Sequence, residues 1–150
     1  MSDTSKVNVL LIGSGAREHA LAWKLRQSPR LGELYTSSPE HPGLAALCKP
    51  ADVLLDPKNP LRLQNFCIAQ RIGLAVIGPE EPMAAGLSDV LLGEDSMAVE
   101  KKSAGGLRGC VRAVFAPSKA AAQLESDKAF AKDFMRAGSV PTAEARTFTN

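Results

Sequence analysis

The chain has 150 residues, 45% hydrophobic, 5% aromatic and 23% charged, with a formal net charge of +2. That length suits one core-bearing domain, the mild charge argues against a nucleic-acid or membrane-surface partner, and the scarcity of aromatics argues against a base-stacking platform. No apolar run reaches the ~18 residues of a membrane span, Met1 to Lys6 lacks a signal-peptide pattern, and three scattered cysteines (Cys48, Cys67, Cys110) without C-x-x-C read as reduced thiols of a cytoplasmic protein rather than a zinc site.

Strand and helix patterns alternate along the chain. Val7 to Ile12 is an apolar run that stops at Gly13-Ser14-Gly15, a first strand ending in a glycine turn. A helix is expected over Arg17 to Gln27, with Ala20, Leu21, Trp23 and Leu25 on its apolar face and Lys24 and Arg26 toward water. Ser28-Pro29 ends it. Glu33 to Thr36 is a second strand, Ser37 to Gly43 a loop, and Ala45 to Cys48 a helical turn. Val53 to Leu55 is a third strand. Pro60 to Arg71 is a helix that offers Leu61, Leu63, Phe66, Cys67 and Ile68 to the core. Leu74 to Ile77 is a buried fourth strand, followed by the turn Gly78-Pro79-Glu80-Glu81-Pro82 and one helix to Leu92. Gly93 to Gly109 is charged and weakly periodic, an exposed loop or a frayed helix, and Lys101, Lys102, Arg108 and Arg112 read as the solvated face of a linker, with an anion or nucleic-acid patch as the alternative. Val111 to Phe115 is the last strand. Pro117-Ser118 opens a helix over Lys119 to Glu125, Ser126-Asp127 caps another over Lys128 to Arg136 with Gly138 ending it, and Val140 to Asn150 is extended. Such alternation specifies a parallel sheet with helices on both faces.

The chemistry concentrates at the first turn. Gly13 and Gly15 permit a close backbone approach, and the following helix N-terminus favours an anion. A dinucleotide fingerprint would need glycine where Glu18 stands, and an acid at the end of the second strand, where the chain has Tyr35, Thr36, Ser37 and Ser38. A nicotinamide-dependent oxidoreductase is therefore disfavoured. Arg17 suits a phosphate through its forked guanidinium, and Glu18 suits a hydroxyl or an amine. A plain strand-to-helix turn with both residues solvated is the bland alternative. His19 and His41 make no metal-ligand spacing with the cysteines, and no metal site is expected.

Four blocks resemble the glycinamide ribonucleotide synthetase (phosphoribosylamine–glycine ligase) family: GSGAREHALAWKL from Gly13, IGPEEPMAAGLSD from Ile77, APSKAAAQLE from Ala116, and DKAFAKDFM from Asp127 with VPTA from Val140. The resemblance spans nearly the whole chain. It implies a Rossmann-like, pre-ATP-grasp α/β domain over residues 1–115, and a linker with the helical start of an ATP-grasp domain over 116–150. It implies a reaction in which ATP activates the glycine carboxylate and the amine of 5-phosphoribosylamine forms the amide, in de novo purine biosynthesis. The implied substrate site is Gly13, Ser14, Gly15, Ala16, Arg17, Glu18 and Glu80, for phosphoribosylamine or glycinamide ribonucleotide. Lys128 matches an ATP-contacting lysine. ATP and magnesium would be held mainly by parts beyond this chain, no residue here is expected to be catalytic, and the isolated chain is expected to be inactive.

The chain departs from the family pattern at several places. Ala16 replaces a glycine, which an L-residue tolerates only at negative φ. Pro39-Glu40-His41-Pro42-Gly43 replaces a Pro-Gly-Asn loop, Ala116 replaces a glycine, Ser126-Asp127 replaces Gly-Ser, and Gly93 to Gly109 carries an insertion. Changes on loops with core blocks retained also suit a diverged standalone module that binds a sugar phosphate or a protein without catalysis. The sequence does not specify an oligomeric state.

Overall fold

The computed structural model describes residues 6–93, 110–146 and 148. Its elements, in chain order, are β1 (Val7–Ile12), α1 (Ala16–Leu25), β2 (Leu31–Thr36), α2 (Pro42–Ala45), β3 (Lys49–Pro50), α3 (Leu61–Ala69), β4 (Ile72–Ile77), α4 (Glu80–Ala85), α5 (Leu87–Leu92), β5 (Ala113–Phe115), α6 (Lys119–Ser126) and α7 (Lys128–Ala137). The strands form one sheet of order β3-β2-β1-β4-β5, and every neighbouring pair is parallel. The α/β class expected from the sequence is the one observed.

β1 lies at the centre because it is apolar on both faces. Leu10 and Ile12 enter one core with Leu63 and Cys67 of α3, Met83 of α4, Leu87 and Leu91 of α5 and Ala122 of α6. Val9 and Leu11 enter the other with Ala22 of α1, Leu34 of β2 and Leu44 of α2. The strand's two-residue period thus divides its side chains between two helix layers. Leu10, Leu11 and Ile12 are fully buried, each contributing about 1.5–3 kcal/mol by removal from water. Near the start of β1 the register shifts on both sides. Asn8 spans the irregularity: its Oδ1 accepts from the Glu33 N–H at 2.9 Å and its Nδ2 donates to the Gln70 carbonyl at 2.8 Å.

Several local expectations are corrected. The third strand is Lys49–Pro50, paired with Tyr35 and Thr36, while Val53 to Leu55 carries no strand. The helical turn after the Pro39 loop is Pro42–Ala45, one turn earlier than Ala45 to Cys48, because Pro42 at its start has a preset φ and His41 caps it. The helix after Gly78 begins at Glu80 and breaks in two at Gly86, whose φ of 96° is left-handed. Trp23 is 60% exposed, and Leu61 and Ile68 are also on the surface; α1 and α3 are narrow contacts, burying only Ala22 and Glu18, and Leu63 and Cys67, respectively. α7 does end at Gly138, but the left-handed residue is Ser139, at φ 54°. Residues 140–146 form no regular element, and the loop expected over Gly93 to Gly109 falls, after Gly93, outside the described residues.

Candidate functional site

β1, β2 and β3 step outward on one side of the sheet, and the chain then returns to place β4 on the other side of β1. The strand order therefore reverses between β1 and β4, and ligands of open α/β sheets bind in the crevice at the carboxyl ends of such strands. Two turns meet there: Gly13 to Gly15 after β1, and Gly78-Pro79 after β4.

Gly13 makes the first turn at φ 126°, and a side chain would not fit: a Cβ there would lie 2.7 Å from Glu18 Cγ and 2.8 Å from Pro79 Cδ. The Gly13 N–H donates to Ser37 Oγ at 3.2 Å, tying this turn to the loop after β2. Ser14, Gly15, Ala16 and Arg17 follow as an exposed rim. Ala16 is the first residue of α1 and does not have a positive φ, so an alanine fits this position without backbone strain.

Arg17 and Glu18 divide the work. Arg17 Nη1 donates to the Gly78 carbonyl at 2.5 Å, and its Nη2 lies 3.9 Å from Glu80 Oε2. Its side chain stays 63% exposed and Glu80's 56%, so the guanidinium joins the two turns and still faces solvent. A surface pair of this length adds little stability. Glu18, expected to offer its carboxylate to a ligand, is instead 4% exposed. Its Oε2 accepts from the Gly15 N–H at 2.6 Å, closing the first turn of α1, while Oε1 is buried without a hydrogen-bond partner among the described residues, with Arg17 Nε 3.8 Å away. The carboxylate lies against the Gly78 backbone, where a Cβ would overlap it. An acid three residues after the N-cap is a capping signal legible in the sequence; its burial beneath Gly78 is not.

On the opposite side of α1, His19 packs its ring edge over Gly43, with the His41 ring centroid 6.0 Å away. His41 Nδ1 accepts from the Leu44 N–H at 3.3 Å, so this imidazole caps α2. Lys128 lies apart from the turns, exposed at the first position of α7, whose N-cap is Asp127. An open cleft lined by Arg136, Val140 and Thr142 among others occurs at the far end of the chain, and no turn residue lines it. Among the described residues, no three His, Cys, Asp or Glu side chains gather as a metal site, and no helix is long and apolar enough to cross a membrane.

Comparison with known proteins gives this arrangement a family. The chain is 44% identical over 144 residues to a phosphoribosylamine–glycine ligase of Rhizobium meliloti, covering 96% of this chain and 30% of that protein. It is 40% identical to the Pasteurella multocida ligase, covering 95% and 29%. It is 41% identical to the Drosophila melanogaster trifunctional purine biosynthetic protein adenosine-3, covering 95% and 10%. The chain thus spans less than a third of the relatives it matches. The profile of the phosphoribosylglycinamide synthetase N domain matches residues 7–125, and the chain belongs to that family.

Proposed function

We propose that this chain is the N-terminal substrate-binding part of an ATP-dependent ligase that joins glycine to 5-phosphoribosylamine. The observation that carries the reading is the Arg17 bridge across the β1–β4 crevice. One guanidinium nitrogen is fixed on the Gly78 carbonyl, and the remainder faces solvent beside the N-terminus of α1. A ribosyl phosphate seated on the N–H groups of Ser14 and Ala16, beside the Gly15 N–H that Glu18 holds, meets the positive end of the helix dipole and the open donors of Arg17. Glu80, on the facing turn, accepts from ribose hydroxyls. Glu18 acts through position: by capping α1 it orients the same N–H groups, and its buried carboxylate holds the two turns together.

Residues 1–115 form the substrate domain in this reading, and 116–150 begin the ATP-grasp part. Lys128 there contributes a point charge toward ATP phosphates once the rest of that domain encloses it. In this reading ATP, magnesium and the acyl-activation chemistry belong mainly to the region of the relatives that this chain does not span. The chain by itself binds without ligating, and a cytoplasmic location follows from the purine chemistry of the parent enzyme.

Calorimetric titration with glycinamide ribonucleotide tests the reading, with adenosine monophosphate as control. Binding of the ribonucleotide that disappears in Arg17→Ala supports it. Equal binding of both ligands, or wild-type affinity in Arg17→Ala, refutes the role given to the crevice.

A further inference from the structure

The three nitrogens of the Arg17 guanidinium face three separate acceptors. Nη1 donates to the Gly78 carbonyl at 2.5 Å, Nη2 lies 3.9 Å from Glu80 Oε2, and Nε lies 3.8 Å from Glu18 Oε1. The first contact is a hydrogen bond, and the other two are ion pairs too long to be one. The two carboxylates stand in different surroundings. The Glu80 side chain is 56% exposed and that of Glu18 is 5% exposed, so water screens the outer pair far more than the inner one.

Glu18 uses one oxygen on its own helix. Oε2 takes the Gly15 N–H, which is all the cap of α1 requires. Oε1 is the oxygen left over, buried and without a hydrogen-bond partner among the described residues. A carboxylate oxygen in that state is costly. The adjacent Gly78 backbone does not satisfy it, because the Gly78 N–H donates to the Ile12 carbonyl at 3.0 Å. The Arg17 Nε–H has a proton to give, and a movement of roughly 1 Å brings it to hydrogen-bond distance.

We propose that Glu18 is a positioning residue for Arg17: its buried Oε1 takes the Nε–H when a phosphate binds in the crevice, and so fixes the plane of the guanidinium. This role rests on the phosphate-binding function given to the crevice and adds to the capping of α1. A guanidinium has five N–H donors. With Glu18 holding the one on Nε and the Gly78 carbonyl holding one on Nη1, the remaining three meet the phosphate in a single orientation. The exposed pair with Glu80 is loose, which lets Nη2 turn to the ligand. A lysine at this position carries the same charge but no plane to be held from behind, so charge alone does not reproduce the contact.

The test is calorimetric titration of glycinamide ribonucleotide, and of its dephosphorylated riboside, into the native full chain, Arg17→Lys, Glu18→Gln and the double variant. In Glu18→Gln the amide oxygen still accepts from the Gly15 N–H, so the cap and the urea midpoint are kept, while the amide nitrogen cannot accept from Arg17 Nε. The expected result is roughly tenfold weaker ribonucleotide binding in each single variant, a double variant no weaker than Arg17→Lys, and riboside affinity unchanged throughout. Arg17→Lys alters an exposed side chain, so its arm stands even where Glu18→Gln fails to fold. Wild-type affinity in either single variant, losses that multiply in the double variant, or an equal loss for the riboside overturns the positioning role and leaves the crevice reading in place. A native chain that binds the ribonucleotide no better than the riboside removes the phosphate contact itself, and the positioning role with it.

Discussion

The strand core and the C-terminal helix pair solve the same problem to different degrees. β1 buries its side chains on both faces of the sheet, against α1 and α2 on one side and α3 to α6 on the other. α6 and α7 bury one alanine each, Ala122 and Ala131, and leave Leu124, Phe130 and Phe134 exposed. The two phenylalanine rings stack on each other at 6.1 Å. The family match ends at residue 125, so α7 lies beyond the part that the N-domain profile describes. A domain that completes its own core is sensitive to a single atom; a helix whose apolar face remains in solvent is not.

Four substitutions break or sharpen that contrast, from the largest expected effect to the smallest. Gly13→Ala forces an L-residue to φ 126° and drives a methyl into Glu18 and Pro79. Guanidinium denaturation should show a loss of roughly 2–5 kcal/mol, summing backbone strain and overpacking. Arg17→Ala should leave stability nearly unchanged while costing about 1.5–3 kcal/mol of ribonucleotide affinity by calorimetry, the range for a charge-assisted hydrogen bond. A stability loss as large as that of Gly13→Ala would instead make Arg17 part of the core's framework. Asn8→Ala strips partners from the Glu33 N–H and the Gln70 carbonyl, and urea unfolding should register about 1–3 kcal/mol. Phe134→Ser, at a site 57% exposed, should change stability by no more than ~0.5 kcal/mol. A change of several times that size would show that α7 is already packed in solution and would erase the contrast.

Much of the fold was legible because its signals are local. The apolar run from Val7 to Ile12, the Gly13 and Gly78 turns and the Ser118 and Asp127 caps each carry their meaning within a few residues. The short edge strand Lys49–Pro50 was not legible, since two residues have no period and their pairing with Tyr35 and Thr36 defines them. The exposure of Trp23 was hidden for a similar reason. An aromatic at helical spacing looks like core, yet the layer over β1 and β2 is filled by Ala22, Leu34 and Leu44.

The candidate site divides along the same line. The sequence by itself determined the order of strands and helices, the glycine turn before a helix N-terminus, and four blocks in family order, because hydrophobic period and turn chemistry act between near neighbours. Only the tertiary structure decided that the β1 and β4 turns meet, that Arg17 reaches Gly78 from 61 positions away, and that Glu18 lies buried beneath them. Those outcomes depend on strand order and on the space two glycines leave between distant segments, which no local pattern encodes.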